Sequence, residues 1–330
     1  MPTLLKRPLS VLGVTLLVAV MAIGGSACRT MAESIAQAPA VAVPQPAAVR
    51  KARRGGTDVT FLAISDTHFG YGYPDLAKLS ADPRSAPIGL ERENLTLVSA
   101  MNTIEGKAYP AELGGFVDRP RGVLAAGDLT EWGRPEEWRR WVTVFGKTGS
   151  EGALELPIFE AVGNHDKVPG PWLEDEVAKR HGGRHYSWNW DDLHLVSLGD
   201  GPDDAGLVWL VRDLDKLEAD VPIVLYFHFP LAGENSADNW FGLGTYRERL
   251  AKILVGRNVI GIFHGHNHAW GTYLWHGIDV YDLGAVKDGP HIFTIVHVKD
   301  TTMQLATYNY DSRTFAWSHQ KALPAPRPSH

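Results

Sequence analysis

The stretch VTFLAISDTH, residues 59–68, couples a run of β-branched and apolar side chains to a loop that carries an acid and a histidine. Residues 59–64 carry no charge, and this composition predicts a β-strand. Asp66 and His68 follow at the point where that strand runs out. Open α/β sheets bind their ligands at this end of their strands. The stretch therefore predicts an α/β protein with a functional site at the carboxyl ends of its strands.

Similar short runs recur along the chain and alternate with helical patterns, which is typical of an α/β sheet. Further strands are predicted over residues 122–126, 157–162, 193–198, 223–227 and 259–263. Helices are predicted over residues 92–104, 135–145, 207–218 and 246–254. Beyond Gly271 the pattern changes to paired strands, over residues 273–275, 279–283, 292–298 and 303–310. We expect these last strands to form a second sheet of the same domain.

Candidate metal-binding side chains follow several of these strands. In chain order the blocks are Asp66-Thr67-His68, Gly127-Asp128, Gly163-Asn164-His165-Asp166, His228 and Gly265-His266-Asn267-His268. Side chains two apart in an extended backbone point the same way, so Asp66 and His68 can hold one ion together. The same argument joins His266 and His268. Imidazole and carboxylate ligands suit Zn, Fe and Mn, and the number of donors exceeds what one ion needs, so we expect two ions.

These blocks, in this order and spacing, resemble those of the calcineurin-like metallophosphoesterases. The resemblance implies an α/β fold, a four-layer α/β/β/α sandwich of two mixed sheets flanked by helices. It implies a first metal held by Asp66, His68, Asp128 and His268, and a second held by Asp128, Asn164, His228 and His266. Asp128 would then bridge both ions. Because His68 is present, the chain departs from purple acid phosphatases, which have a tyrosine among the ligands of the corresponding iron.

The chemistry expected of such a centre is hydrolysis of a phosphomonoester or a phosphodiester. Two cations about 3.5 to 4 Å apart generate a bridging hydroxide near neutral pH and neutralise charge on the phosphate oxygens. We expect His165 to protonate the leaving oxygen as general acid, with Asp166 orienting its imidazole. We expect His264 to be a structural or supporting residue. Trp132, four residues beyond Asp128, is a candidate for an aromatic wall of the pocket.

Alternatives to this function remain open. The first is a phosphodiesterase that acts on cyclic nucleotides or phospholipid head groups, since the ligand set would be the same. The second is a non-catalytic metal-binding surface lipoprotein. The pair of His165 and Asp166 speaks against it, because holding an ion needs no proton donor. Substrate contacts are expected from residues 70–86 and from residues 231–245, which include Asn239 and Trp240.

The amino-terminal segment predicts export. Lys6 and Arg7 precede an apolar run over residues 9–23, which is too short to span a bilayer and typical of a secretory signal. Small residues then lead to Cys28, so residues 1–27 resemble a bacterial lipoprotein signal with Cys28 as the acylated mature N-terminus. Cleavage after Ala38 is the alternative. We expect a periplasmic or cell-envelope location, with membrane contact only through a lipid on Cys28.

Composition bounds the remaining possibilities. Residues 28–57 are rich in Ala, Pro and Val and predict a flexible tether, and residues 324–330 predict a disordered tail. The resemblance implies that residues 58–323 form the phosphoesterase domain. The chain has 32 Lys and Arg against 38 Asp and Glu, a net charge of −6, which argues against a nucleic-acid partner. A single cysteine excludes a disulfide within the chain and a site built from several thiolates. The expected partner is a small-molecule phosphate ester.

Overall fold

The computed structural model describes residues 56–72, 89–233 and 245–324. Within them, two six-stranded mixed sheets are flanked by helices, which confirms the predicted fold class. Several predictions lie wholly or mostly outside the described residues: the signal over 1–27, Cys28, the tether over 28–57, the tail over 324–330, and the loops over 70–86 and 231–245 with Asn239 and Trp240. No helix of the described ranges combines the length and apolar character that crossing a bilayer requires.

The two sheets are built as follows. The first contains, in the order β12-β11-β10-β1-β2-β3, the strands β1 (Asp58–Ile64), β2 (Val123–Ala126), β3 (Ile158–Ala161), β10 (Ile292–Lys299), β11 (Thr302–Asn309) and β12 (Thr314–Ala322). The second contains, in the order β4-β5-β6-β7-β9-β8, the strands β4 (Tyr186–Trp190), β5 (Leu193–Ser197), β6 (Ile223–Tyr226), β7 (Val259–His264), β8 (Gly271–Trp275) and β9 (Ile278–Asp282). The helices are α1 (Glu91–Asn102), α2 (Pro135–Phe145), α3 (Trp172–His181), α4 (Asp204–Leu214) and α5 (Thr245–Leu254).

Strand β1 shows why the layers stack as they do. Phe61 and Ala63 belong to the apolar cluster between the two sheets, together with Phe263 of β7. Leu62 and Ile64, which point the other way, pack with the helices on the outer face. All four side chains are at most 2% exposed. A strand covered on both faces does not need the apolar–polar alternation of a half-exposed strand. The stretch over residues 59–64 lacks that alternation for this reason.

The prediction that the strands beyond Gly271 form a separate second sheet is wrong. Strands β8 and β9 extend the sheet of β7, whereas β10, β11 and β12 extend the sheet of β1. Strand β10 runs antiparallel to β1, with Asp58 opposite Lys299 and Ala63 opposite Thr294. Both β1 and β10 are buried over most of their length, and each has a neighbouring strand on both edges.

Three of the α-helices and strands named above have no counterpart in the sequence prediction: α3, β4 and β12. The pattern of β4 is weak, since Tyr186 is the one buried residue among its five. Strand β12 is an edge strand without a buried residue over Thr314–Ala322. Neither strand shows a clear apolar run, which is the signal that strand prediction depends on.

Candidate metal centre

Polar side chains meet where five strands end. Strands β1, β2, β3, β6 and β7 are followed by the candidate ligands Asp66, His68, Asp128, Asn164, His228, His266 and His268. Backbone hydrogen bonds continue the strand pairing into these loops. The N–H groups of Asp66 and His68 donate to the carbonyls of Gly127 and Asp128, both at 3.0 Å. The loops are therefore fixed relative to one another by the sheets that carry them.

A first group consists of Asp66, His68, Asp128 and His268, whose donor atoms all lie within 4.8 Å of one another. The Nε2 atoms of His68 and His268 are 2.9 Å apart. Asp66 Oδ1 lies 3.3 Å from His268 Nε2, and Asp128 Oδ2 lies 3.5 Å from His68 Nε2. Ligand atoms bound to one ion at about 2.0–2.2 Å lie about 3 Å apart. The group therefore fits a single metal ion.

A second group consists of Asp128, Asn164, His228 and His266. The Nε2 atom of His228 lies 3.2 Å from Asp128 Oδ2 and 3.1 Å from Asn164 Oδ1. His266 Nδ1 lies 3.0 Å from the same amide oxygen. Asp128 Oδ2 thus belongs to both groups, while Asp128 Oδ1 accepts the backbone N–H of His165 at 2.9 Å. One carboxylate oxygen is placed to bridge two ions.

The pKa shifts of these side chains agree with a site that binds cations. Burial opposes a positive charge on His68, but Asp66 and Glu131 outweigh it and raise the pKa of the imidazole to about 9. Burial likewise opposes charge on His228, and Asp128 raises its pKa to about 10. Although burial disfavours the carboxylates, His268 and His68 hold the pKa of Asp66 below its usual range, and His228 and His68 do the same for Asp128. The site therefore collects buried negative charge, which metal cations would balance in place of protons.

The backbone reaches this geometry through left-handed turns. Positive φ angles of 54°, 40°, 49°, 75° and 49° occur at Asp66, His68, Asp128, His266 and His268 respectively. The premise that these pairs sit on extended backbone is therefore wrong, although their side chains do converge. A non-glycine residue in this region costs about 1–3 kcal/mol, and such costs concentrate at functional sites. The backbone hydrogen bonds that join the loops to one another hold these residues in the left-handed conformation.

The glycines of these blocks leave room for the ligands. A Cβ atom on Gly265 would lie 1.8 Å from Ser65 Oγ and 2.2 Å from Asp66 Oδ2. On Gly163 it would lie 2.1 Å from Asp128 Oδ1. Close backbone approach, which a side chain would prevent, is therefore the physical reason for glycine at both positions.

His165 lies beside the two groups. Its Nδ1 donates to the carbonyl of Glu131 at 2.8 Å, which fixes the tautomer and leaves Nε2 as the basic nitrogen. Its ring centroid is 4.7 Å from that of His68, and its side chain is 27% exposed. Trp132 is 39% exposed, with its ring centroid 6.3 Å from that of His165. The tryptophan therefore lies at the rim on the side of His165.

The expectation that Asp166 orients His165 needs correction. Its carboxylate accepts the backbone N–H groups of Leu129, Thr130 and Gly163 and the hydroxyl of Thr130, at 2.8–3.1 Å. Burial and the nearby Asp128 raise its pKa to about 6. Asp166 therefore ties the loop after β2 to the loop after β3, and the carbonyl of Glu131 takes the orienting role.

Two residues near the centre, Glu131 and Lys287, were not identified from the sequence. Glu131 Oε2 accepts from His68 Nδ1 at 2.8 Å, and Lys287 Nζ lies 3.2 Å from the same oxygen. The spacing of Glu131, three residues beyond Asp128, was a usable signal, whereas Lys287 stands in no motif. His264 is buried, and its Nε2 pairs with the Tyr273 hydroxyl at 2.8 Å, so it supports the structure behind the centre.

Comparisons with known proteins agree with this geometry. Residues 59–270 match the family model described as calcineurin-like phosphoesterase. A probable cyclic nucleotide phosphodiesterase of Rhodococcus erythropolis is 26% identical over 210 residues, 56% of this chain and 68% of that protein. The glycerophosphodiester phosphodiesterase GpdQ of Enterobacter lignolyticus is 26% identical over 225 residues, 62% and 69% respectively. A dimetal phosphatase from Danio rerio shares the fold, with a TM-score of 0.53 and 14% identity over 81% of this chain and 99% of that one.

Proposed function

Because the chain belongs to the calcineurin-like phosphoesterase family, whose members hydrolyse phosphate esters at dinuclear metal centres, we propose that it is a metal-dependent phosphodiesterase. The observation that carries this proposal is the position of Asp128 Oδ2, 3.5 Å from His68 Nε2 and 3.2 Å from His228 Nε2. One oxygen shared by two sets of ligands is what a pair of ions requires. We assign Asp66, His68, Asp128 and His268 to one ion, and Asp128, Asn164, His228 and His266 to the other. Fe, Mn and Zn suit these ligands.

The protein's own groups have separate tasks in this proposal. When bound, two cations would supply positive charge for the phosphate oxygens and a water activated at neutral pH. In its protonated form, His165 would donate the proton that the departing alkoxide needs from Nε2, because Nδ1–H is held by the carbonyl of Glu131. Trp132 offers an apolar surface to that alcohol on the same side. The buried ligands Asp66 and His228, both 0% exposed, keep bulk water from the far side of the centre.

The pairing of two lysines near the centre favours a diester substrate over a monoester. A diester carries one negative charge, whereas a monoester carries up to two near neutral pH. Lys167 and Lys287, on loops around the centre, are paired with the carboxylates of Asp200 and Glu131. Neither lysine therefore brings an uncompensated positive charge to a second phosphate oxygen. The two curated relatives named above are both described as phosphodiesterases, which supports the same choice.

The test is hydrolysis by the full chain after reconstitution with Mn, Zn or Fe. We expect a higher kcat/KM for bis-para-nitrophenyl phosphate than for para-nitrophenyl phosphate. Asp128→Asn should lose both metal and activity, because the bridging charge is gone. Asp213→Asn, at a carboxylate paired with His194 away from the centre, should keep both. A wild-type protein that holds two metals and hydrolyses neither ester would instead be the non-catalytic metal-binding lipoprotein.

We also propose that the protein is exported and that a lipid on Cys28 anchors it to the cell envelope. The apolar run over residues 9–23, followed by small residues up to that cysteine, supports this proposal. Cys28→Ala should move the protein from the membrane fraction to the soluble periplasmic fraction. If wild type and variant are both soluble, the lipid assignment is wrong and cleavage elsewhere, for example after Ala38, takes its place.

A further inference from the structure

The loop between β9 and β10, residues 283–291, approaches the first group of ligands through residues 286–288. It lies beyond residue 270, where the family match ends. The backbone N–H groups of Val286 and Lys287 are directed at the carbonyl of Asp66, at 3.1 and 3.4 Å. Asp288 Oδ2 lies 3.9 Å from His268 Nδ1. The loop thus supports Asp66 directly, and Lys287 extends that support to a second member of the first group.

Lys287 contacts the first group of ligands indirectly, through the carboxylate of Glu131. Its Nζ atom lies 3.3 and 3.2 Å from the two carboxylate oxygens, and the side chains of Lys287 and Glu131 are 13% and 6% exposed. The same ammonium lies 4.3 Å from the centroid of the Tyr71 ring. A buried carboxylate without a partner is costly, so a fixed positive charge at this distance holds Glu131 in one place.

Glu131 in turn fixes His68. Its Oε2 accepts from His68 Nδ1 at 2.8 Å, so the proton of a neutral His68 stays on Nδ1 and Nε2 is free to bind metal. Carboxylates that accept the second nitrogen of a metal-binding histidine orient the ring and strengthen it as a ligand. The chain of contacts from Lys287 to Glu131 to His68 therefore ends at the nitrogen that faces Asp66, Asp128 and His268.

We infer that Lys287 is a positioning residue for the first metal ion, because its ammonium anchors the carboxylate that orients His68. The inference rests on the metal centre of the proposed function. It assigns a role to a residue outside the family-matched segment. A direct contact with substrate phosphate is the competing role, and the pairing of Nζ with both oxygens of Glu131 speaks against it.

The experiment compares three variants of the full chain: Lys287→Met, which keeps the length and removes the charge; Lys287→Arg, which keeps the charge; and Lys321→Met. Lys321 is the matched control, since its side chain is 18% exposed and paired with Asp279, near the start of β9. Mn²⁺ and Zn²⁺ binding is measured by calorimetric titration and by metal content after dialysis against a chelator. Kinetics on bis-para-nitrophenyl phosphate are measured beside them.

We expect Lys287→Met to weaken binding of one of the two ions by about 10- to 100-fold, with Lys287→Arg recovering most of the loss. Lys321→Met should bind both ions as wild type does. In a Glu131→Gln background, Lys287→Met should add little, because the two side chains act through one contact.

Wild-type metal affinity in Lys287→Met would overturn the inference. So would a raised KM with unchanged metal binding, which would indicate a contact with substrate. A wild-type protein that binds neither ion would remove both this inference and the proposed function. If wild type binds two ions but hydrolyses no ester, the proposed function fails, while the difference in metal affinity between the Met and Arg variants still decides the role of Lys287.

Discussion

Replacing His165 by alanine should slow hydrolysis in proportion to how much the leaving group needs a proton. The side chain lies beside the ligand groups, held through Nδ1 by the Glu131 carbonyl, and is 27% exposed. A positioned general acid contributes about 10²- to 10⁴-fold in rate, or about 3–5 kcal/mol. We therefore expect a loss of that size in kcat for an alkyl diester such as glycerophosphoethanolamine.

With bis-para-nitrophenyl phosphate the expected loss is much smaller, since nitrophenolate departs without a proton. The assay is kcat for both esters with the same metal-loaded preparation, together with metal content. His291→Ala is the matched control, because that histidine is 29% exposed and paired with Asp311 on the surface. Equal losses for the two esters, or loss of metal in step with activity, would refute the general-acid role.

Three further predictions concern the site and its scaffold. Gly163→Ala should cost about 1–3 kcal/mol of unfolding free energy and lower metal content, because the new Cβ would lie 2.1 Å from Asp128 Oδ1; a stable, metal-loaded variant would contradict this. Trp141→Ala should cost about 3–5 kcal/mol in urea unfolding, since the ring is fully buried, and a loss under 1 kcal/mol would contradict the packing described. In excess chelator, protonated His68 and His228 stabilise the fold, since their pKa values are raised to about 9 and about 10. This stabilisation is complete below about pH 6.5 and is lost as the pH rises through 9–10. Thermal unfolding from pH 6 to 10 should therefore show falling stability without metal and a smaller fall with metal, because ligation needs the deprotonated rings; parallel curves would count against metal binding at these histidines.

The strands that carry the site were predictable because their signal is local. Strand β7 was predicted over residues 259–263 and spans Val259–His264, and helix α2 was predicted over its observed range, Pro135–Phe145. Apolar runs followed by glycine, acid and histidine mark the strand ends without any knowledge of the fold. The convergence of the candidate ligands followed from the same rule, since parallel strands bring their carboxyl ends to one edge.

What could not be predicted depends on distant parts of the chain. The partition of the C-terminal strands between two sheets is decided by which edges remain open after the others pair, and no local pattern records it. Asp166 follows His165 directly in the chain, yet its carboxylate turns to backbone donors at Leu129, Thr130 and Gly163. Lys287 reaches Glu131 across 156 residues, a contact that only the folded chain brings about.

The pairing of β1 with β10 sets a late step in the completion of this fold. The strand that leads into Asp66 and His68 has as its second neighbour residues 294–299, which lie far along the chain from it. Until the two strands pair, one side of β1 offers free N–H and C=O groups to other chains. A chain shortened at residue 270 would keep every candidate metal ligand and still leave that side open, so we expect it to aggregate. Pairing over such a separation is also slow to form. Metal capture is thus expected to follow the pairing of β1 with β10.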